Sequence, residues 1–247
     1  MGKVIAVSSG KGGTGKTTTV AALSSCLAAL GYKTLCIDFD AGMRNLDLSL
    51  CMADYAIADF ADVLSGRLEL MDACHEHPRI QNLFFLAAPI AFDPETLDFE
   101  DARAMFDRVR DGFDFCFVDC PSGIGPDFKL AHAGTDVSVI VTIGELPAIR
   151  DAQITAEVIR NPGVSEIRLL INRVLPEHYV RLQATIDDVI DLVGVQLIGV
   201  VREDKSVFLA LHENTPLILY KKRLAAYDFL DAARRLAGED IPLRLRR

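Results

Sequence analysis

The sequence predicts an α/β fold: a mostly parallel, twisted sheet of about seven or eight strands with helices on both faces, in one domain over residues 1–247. Three observations carry this. Short apolar runs alternate with runs of helical spacing along the whole chain, the signature of strand–helix–strand units. Several of the strand-like runs are apolar at successive positions, as strands buried on both faces are. Residues Gly10 to Gly15, followed by Lys16 and Thr17, fit the phosphate-loop pattern, which requires a strand before it and a helix after it.

The elements follow in order. Lys3–Ser8 is a short strand rich in Val and Ile. A helix over 17–30 places Val20, Leu23, Leu27 and Leu30 at helical spacing and stops at Gly31. Further strands are expected at Thr34–Asp38, Leu83–Ala87, Phe115–Asp119, Val137–Thr142, Ile167–Ile171 and Leu197–Val201. Between them helices are expected near 57–65, 99–110, 147–160, 178–192 and 205–213, with a last one near 223–237. Pro147 suits the first turn of its helix. His75 and His77 fall in a polar stretch and read as surface residues rather than metal ligands. In an open parallel sheet, ligands bind at the carboxyl ends of the strands, so each site residue should follow a strand end.

The candidates meet that test. In the loop Gly10-Lys11-Gly12-Gly13-Thr14-Gly15-Lys16-Thr17-Thr18, the glycines let backbone N–H groups close on an anion, and the helix N-terminus adds partial positive charge. Lys16 reaches β- and γ-phosphates of a nucleotide, and the Thr17 hydroxyl suits Mg²⁺. Lys11 is a second cation that an ordinary phosphate loop does not require. From within its own loop it points away from the phosphates Lys16 covers, and it is placed to cross to a nucleotide held by a second subunit. The second strand ends in Asp38 and Asp40, carboxylates able to orient an attacking water or to support Mg²⁺. Asp119 ends a strand after four apolar residues and reads as a Mg²⁺-supporting acid. Gly123 lets the following loop approach a γ-phosphate. Asn172, followed by Arg173, offers an amide that can pair with adenine.

Composition narrows the class. Half the residues are apolar and the net charge is −9, which disfavours broad nucleic-acid binding. Six cysteines are scattered without a CxxC pair and read as small core residues in a reducing compartment. No apolar run reaches the ~18 residues of a membrane span, and the N-terminus lacks the pattern of a secretory signal. The expected location is the cytoplasm, or the inner face of the cell membrane as a peripheral protein.

Taken together, Lys11-Gly12-Gly13-Thr14-Gly15-Lys16-Thr17 resembles the deviant Walker A motif, KGGxGKT, of the MinD/ParA family of dimeric ATPases, and the resemblance runs over nearly the whole chain. Asp38-Phe39-Asp40-Ala41-Gly42-Met43-Arg44-Asn45-Leu46-Asp47-Leu48 is similar to the first switch of the septum-site (MinD) branch. Glu145 to Asp151 and Glu203 to Val207 also resemble that branch, although Arg202 stands where the family has proline. Ser122 and Gly125 depart from the usual second-switch sequence. The resemblance implies a P-loop ATPase that hydrolyses ATP with Mg²⁺, slowly unless a partner activates it, and that acts in placing the cell-division site. It implies a homodimer closed over ATP, with Lys11 of each subunit on the other's phosphates and Lys16, Asp38 and Asp40 completing catalysis. Asp40 would stand nearest the attacking water, Thr17, Asp40 and Asp119 would serve the metal, and Asn172 and Arg173 would meet the base. Arg44 and Asp151 would face activator and inhibitor proteins of the MinE/MinC type. The terminal Ile241 to Arg247 contains Pro242, which stops a helix, so a weak or absent membrane contact is expected of this tail. Two alternatives stay open: a ParA-like segregation or flagellar-number regulator ATPase, and a nucleotide-bound scaffold with little catalysis.

Overall fold

The computed structural model describes residues 2–55, 57–90, 98–160, 164, 166–177, 185–220 and 224–243. Its strands are β1 Lys3–Ser8, β2 Thr34–Asp38, β3 His75–Glu76, β4 Leu83–Leu86, β5 Phe115–Asp119, β6 Val137–Ile143, β7 Glu166–Val174 and β8 Gln196–Arg202. They form a single eight-stranded sheet in the order β3-β4-β2-β5-β1-β6-β7-β8. Every ladder is parallel except that between β3 and β4. The described helices are α1 Lys16–Ala29, α2 Leu46–Leu50, α3 Phe60–Leu64, α4 Leu70–Ala73, α5 Phe99–Gly112, α6 Pro126–Ala131, α7 Leu146–Arg160, α8 Ile186–Val193, α9 Lys205–His212 and α10 Leu224–Leu236.

The central strands are buried on both faces because apolar residues point to each face in turn. In β1, Ile5 and Val7 belong to one core cluster while Val4 and Ala6 belong to the other. In β5, Phe115 and Phe117 face the first cluster and Cys116 and Val118 the second. The first cluster is closed by α1 and α10. Small residues let these two helices lie close: Ala21, Ala22 and Ala28 on α1, and Ala225, Ala232 and Ala233 on α10. Helix α1 is buried over nearly its whole length, and its buried Ser24 hydroxyl returns its hydrogen bond to the Val20 carbonyl. On the opposite face α5 covers β2 and β5, and α7 with α8 covers β6 and β7.

The seven anticipated strands stand within one to three residues of their expected ends. The eighth, β3, is two residues long and pairs His75 with Phe85, too short to register as alternation. Helices α2, α4 and α6, of four to six residues, are likewise below the length at which helical periodicity shows. The helix anticipated at 178–192 is observed as α8, opened by a capping box at Thr185; its first part, 178–184, lies outside the described residues, as do 244–247 of the basic tail. His77 corrects its surface assignment. It is 3% exposed, its Nε2 bonds the Leu50 carbonyl at 2.9 Å, and its Nδ1 accepts from the backbone N–H groups of Arg79 and Ile80. It ties the loop after β3 to α2, and its polar sequence neighbours hid that. No described helix is long and apolar enough to cross a membrane.

Candidate functional site

The chain enters the sheet at β1, moves outward to β2 and β4, and returns through β5 before building the other half from β6 to β8. This reversal of strand order places the carboxyl end of β1 at a crevice, where ligands bind in such sheets. The phosphate loop occupies that place. Gly13 and Gly15 hold φ of +82° and +90°, a region open to glycine. A Cβ on Gly15 would lie 2.3 Å from Asn172 Nδ2, and one on Gly10 would lie 2.4 Å from the Asp151 carbonyl oxygen. The loop is therefore clamped between β7 and α7, and Asp151, anticipated as a partner-surface residue, packs its backbone against Gly10. Helix α1 starts at Lys16 with no acidic residue in its first turn, leaving its N-terminal N–H groups to an anion.

Three acids meet at this edge. In the β2–β5 ladder Asp38 is level with Asp119. Lys16 Nζ donates to Asp119 Oδ1 at 2.6 Å and lies 3.6 Å from Asp40 Oδ2. Burial works against the Lys16 charge, but the charge and hydrogen bond of Asp119, with Asp40 behind it, hold its pKa above the usual value. Burial pushes the Asp119 carboxyl up, although Lys16 opposes this. Asp38 is 1% exposed and its pKa is pushed up to about 7, by burial first and the Asp119 charge second. Its two oxygens accept from the backbone N–H groups of Asp40 (2.9 Å) and Leu46 (3.3 Å). Asp38 thus fixes the loop that presents Asp40, whose side chain keeps more exposure at the mouth. Arg44 adopts a φ of +44° in the same loop and is half-buried.

Lys11 takes no part in this cluster. Its Nζ bonds Glu145 Oε2 at 2.9 Å, and its side chain is 40% exposed. The two lysines of one loop are therefore separated, one buried among acids and one at the surface.

A cavity of about 500 Å³ continues from the loop. Gly13, Gly15 and Thr18 line one side; Asn172, Arg202 and Phe208 are among the residues opposite. Asn172 reaches it because β7 slips register against β8 between Ile171 and Val174, with Arg173 at a φ of +55°. Asn172 Nδ2 donates to the Thr14 carbonyl at 2.8 Å, and Arg173 pairs with Glu203 at 2.8 Å. Oxygen donors for a hard divalent cation are also in place. Asp119 Oδ2 is buried with no hydrogen bond within standard geometry among the described residues, and Thr17, Asp40 and Asp119 supply a hydroxyl and carboxylates, the donor set Mg²⁺ takes. Sequence reasoning found Thr17, Asp40, Asp119 and Asn172 but missed Asp228 and His132, and gave Glu145 no link to Lys11. His132 is buried, its Nδ1 donates to the Phe128 carbonyl, and its Nε2 faces Ser8 and Ser138. Burial lowers its pKa to about 4, so it is a neutral strut. The only sequence signal for Asp228 is a carboxylate on the alanine-rich stripe of α10.

Residues 5–217 match the CobQ/CobB/MinD/ParA nucleotide binding domain. The septum site-determining protein MinD of Synechocystis sp. is 35% identical over 244 residues, covering 98% of this chain and 92% of the relative. Among solved structures, the MinC:MinD cell division protein complex of Aquifex aeolicus matches with a TM-score of 0.90 at 32% identity, covering 98% of both chains. MinD of Pyrococcus horikoshii, complexed with Mg-ADP, matches with a TM-score of 0.82 at 29% identity, covering 96% of this chain and 98% of that one.

Proposed function

The chain belongs to the CobQ/CobB/MinD/ParA nucleotide-binding family, and from that premise we propose that it is the ATP-hydrolysing dimerisation switch of a division-site placement system. It is an ATPase of the MinD type. The observation that carries the finer reading is the separation of the two loop lysines: Lys16 lies buried at 2.6 Å from Asp119, while Lys11 lies exposed on Glu145.

ATP lies with its phosphates on the loop and its base in the cavity toward Asn172 and Arg202. Lys16 leaves Asp119 for the β- and γ-phosphates, and Thr17, Asp40 and Asp119 would hold Mg²⁺, which would neutralise charge on the phosphates. Asp40 orients the water whose oxygen bonds to the γ-phosphorus as the bond to the ADP oxygen breaks. Asp38 keeps the Asp40 loop in place through the two backbone N–H groups it accepts. Lys11 exchanges Glu145 for the γ-phosphate of a second subunit, so the γ-phosphate glues the dimer and hydrolysis loosens it. Turnover is slow until a protein partner contacts the dimer, at a surface that includes Arg44 and Asp151. The partners are activator and inhibitor proteins of the kind that bind MinD, and the switch works in the cytoplasm or at the membrane's inner face.

Asp40→Ala separates this reading from a nucleotide-bound scaffold. It should still bind ATP, trap the dimer and lower hydrolysis by about 10²-fold or more, the scale of a positioned catalytic base. Parental turnover in this variant would remove Asp40 from the reaction.

A further inference from the structure

Arg202 is the last residue of β8, an outer strand of the sheet. It gives three hydrogen bonds to one carboxylate. Its backbone N–H donates to Asp228 Oδ2 at 3.0 Å, its Nε to the same oxygen at 2.8 Å, and its Nη2 to Oδ1 at 2.6 Å. Asp228 is 8% exposed and sits on the face of α10 that also carries Ala225, Phe229 and Ala232 into the core. A carboxylate at such a position is costly unless paired and hydrogen-bonded, so the pair is a commitment of the fold. The guanidinium fork fixes the side chain, and the third bond fixes the backbone itself.

The two residues that follow are also held. Glu203 N–H donates to the Val174 carbonyl at 3.0 Å. Asp204 caps α9 by accepting from Ser206 N–H at 2.8 Å and accepts from Ala225 N–H at 3.2 Å. Arg202, Glu203 and Asp204 are thus strung between β7, α9 and α10, and the same residues line the cavity of about 500 Å³ across from Gly13 and Gly15. Adenine and guanine differ at the edge that such a backbone wall meets: a 6-amino donor beside an acceptor in one, a 6-oxo acceptor beside a donor in the other. Reading that difference requires amides and carbonyls that do not shift.

Resting on the reading of this cavity as the base site, we propose that Arg202 and Asp228 are a positioning pair that holds the 202–204 backbone in register and sets the preference for adenine over guanine. Asp228 acts through Arg202 and touches no nucleotide.

Titration calorimetry of ADP, GDP and inorganic pyrophosphate against the full chain tests this. The parent should bind ADP well above GDP. D228N should weaken ADP about tenfold or more, leave pyrophosphate unchanged and lower the ADP-to-GDP ratio. R202K, which keeps the charge but loses the fork, should lower the ratio several-fold and serves if D228N does not fold. R202P/D228A should restore the ratio, because proline stiffens an outer strand end and lacks the N–H whose acceptor has been removed. A parental ratio in D228N or R202K would overturn the proposal, as would equal losses for all three ligands, which a merely structural role predicts. A parent that binds pyrophosphate but neither nucleotide would instead overturn the reading of the cavity, and the proposal with it.

Discussion

Lys16→Ala tests whether the buried lysine holds the site together before any nucleotide arrives. The substitution removes the ammonium 2.6 Å from Asp119 and 3.6 Å from Asp40, leaving Asp119, 1% exposed, without its cation. Breaking one side of a buried ion pair costs about 3–5 kcal/mol. For a chain of this size ~1 kcal/mol moves the melting temperature by about 2–4 °C, so the expected loss is roughly 6–20 °C. The loss depends on pH. Burial already holds the Asp119 pKa above its ordinary value, and without Lys16 it rises further. The folded variant then keeps a proton that the unfolded chain releases above about pH 4, so its stability falls as pH rises through the folded pKa. The deficit against the parent should therefore be larger at pH 8 than at about pH 4, in nucleotide-free melts followed by circular dichroism. Lys16→Ala/Asp119→Asn should recover most of it, because the more deeply buried of the two acids no longer carries a charge and only the partly exposed Asp40 is left without its cation. A single variant melting within about 2 °C of the parent at pH 8, or a double variant no more stable than the single, would refute the reasoning.

Other outcomes follow from the same geometry. Lys11→Ala should keep ADP affinity and weaken ATP-dependent dimerisation about a hundredfold: each exchange trades a surface ion pair of about 0–1 kcal/mol for a charge-assisted bond of about 1.5–3 kcal/mol, twice per dimer. Light scattering that finds this variant dimeric at the parental concentration would reduce Lys11 to a surface lysine. Asp38→Asn should lose stability more at pH 4 than at pH 8 and slow hydrolysis, because the amide keeps one acceptor for the Asp40 and Leu46 N–H groups but carries no charge to desolvate. A carboxyl moved from 3.8 to about 7 gives up stability as pH climbs through that window, by at most roughly 4 kcal/mol, whereas the amide does not titrate. Melts in which the variant's deficit against the parent does not shrink from pH 4 to pH 8 would contradict the raised pKa of buried Asp38.

The sequence made the framework legible where local rules are strong. Gly13 and Gly15 required left-handed backbone, β1 and β5 carried apolar residues to both faces, and strand ends marked Asp38, Asp119 and Asn172. Contacts between distant elements were not legible. Glu145 follows β6 and meets Lys11 only once β1 and β6 are neighbours. Asp228 reads as one polar residue on an amphipathic helix until α10 packs beside the end of β8. His77 looked exposed because its neighbours in sequence are polar, whereas its partner Leu50 lies 27 residues away. Short elements such as β3 and α6, of two and six residues, are too brief to leave a periodic trace.

The central claim is that ATP, and not ADP, joins two copies of this chain. Its most direct test is the mass of the protein by light scattering with Mg²⁺ and either nucleotide, using Asp40→Ala to keep ATP intact. The account predicts twice the 27.0 kDa chain mass with ATP and the single-chain mass with ADP. One mass under both conditions, with nucleotide bound in each, would contradict it.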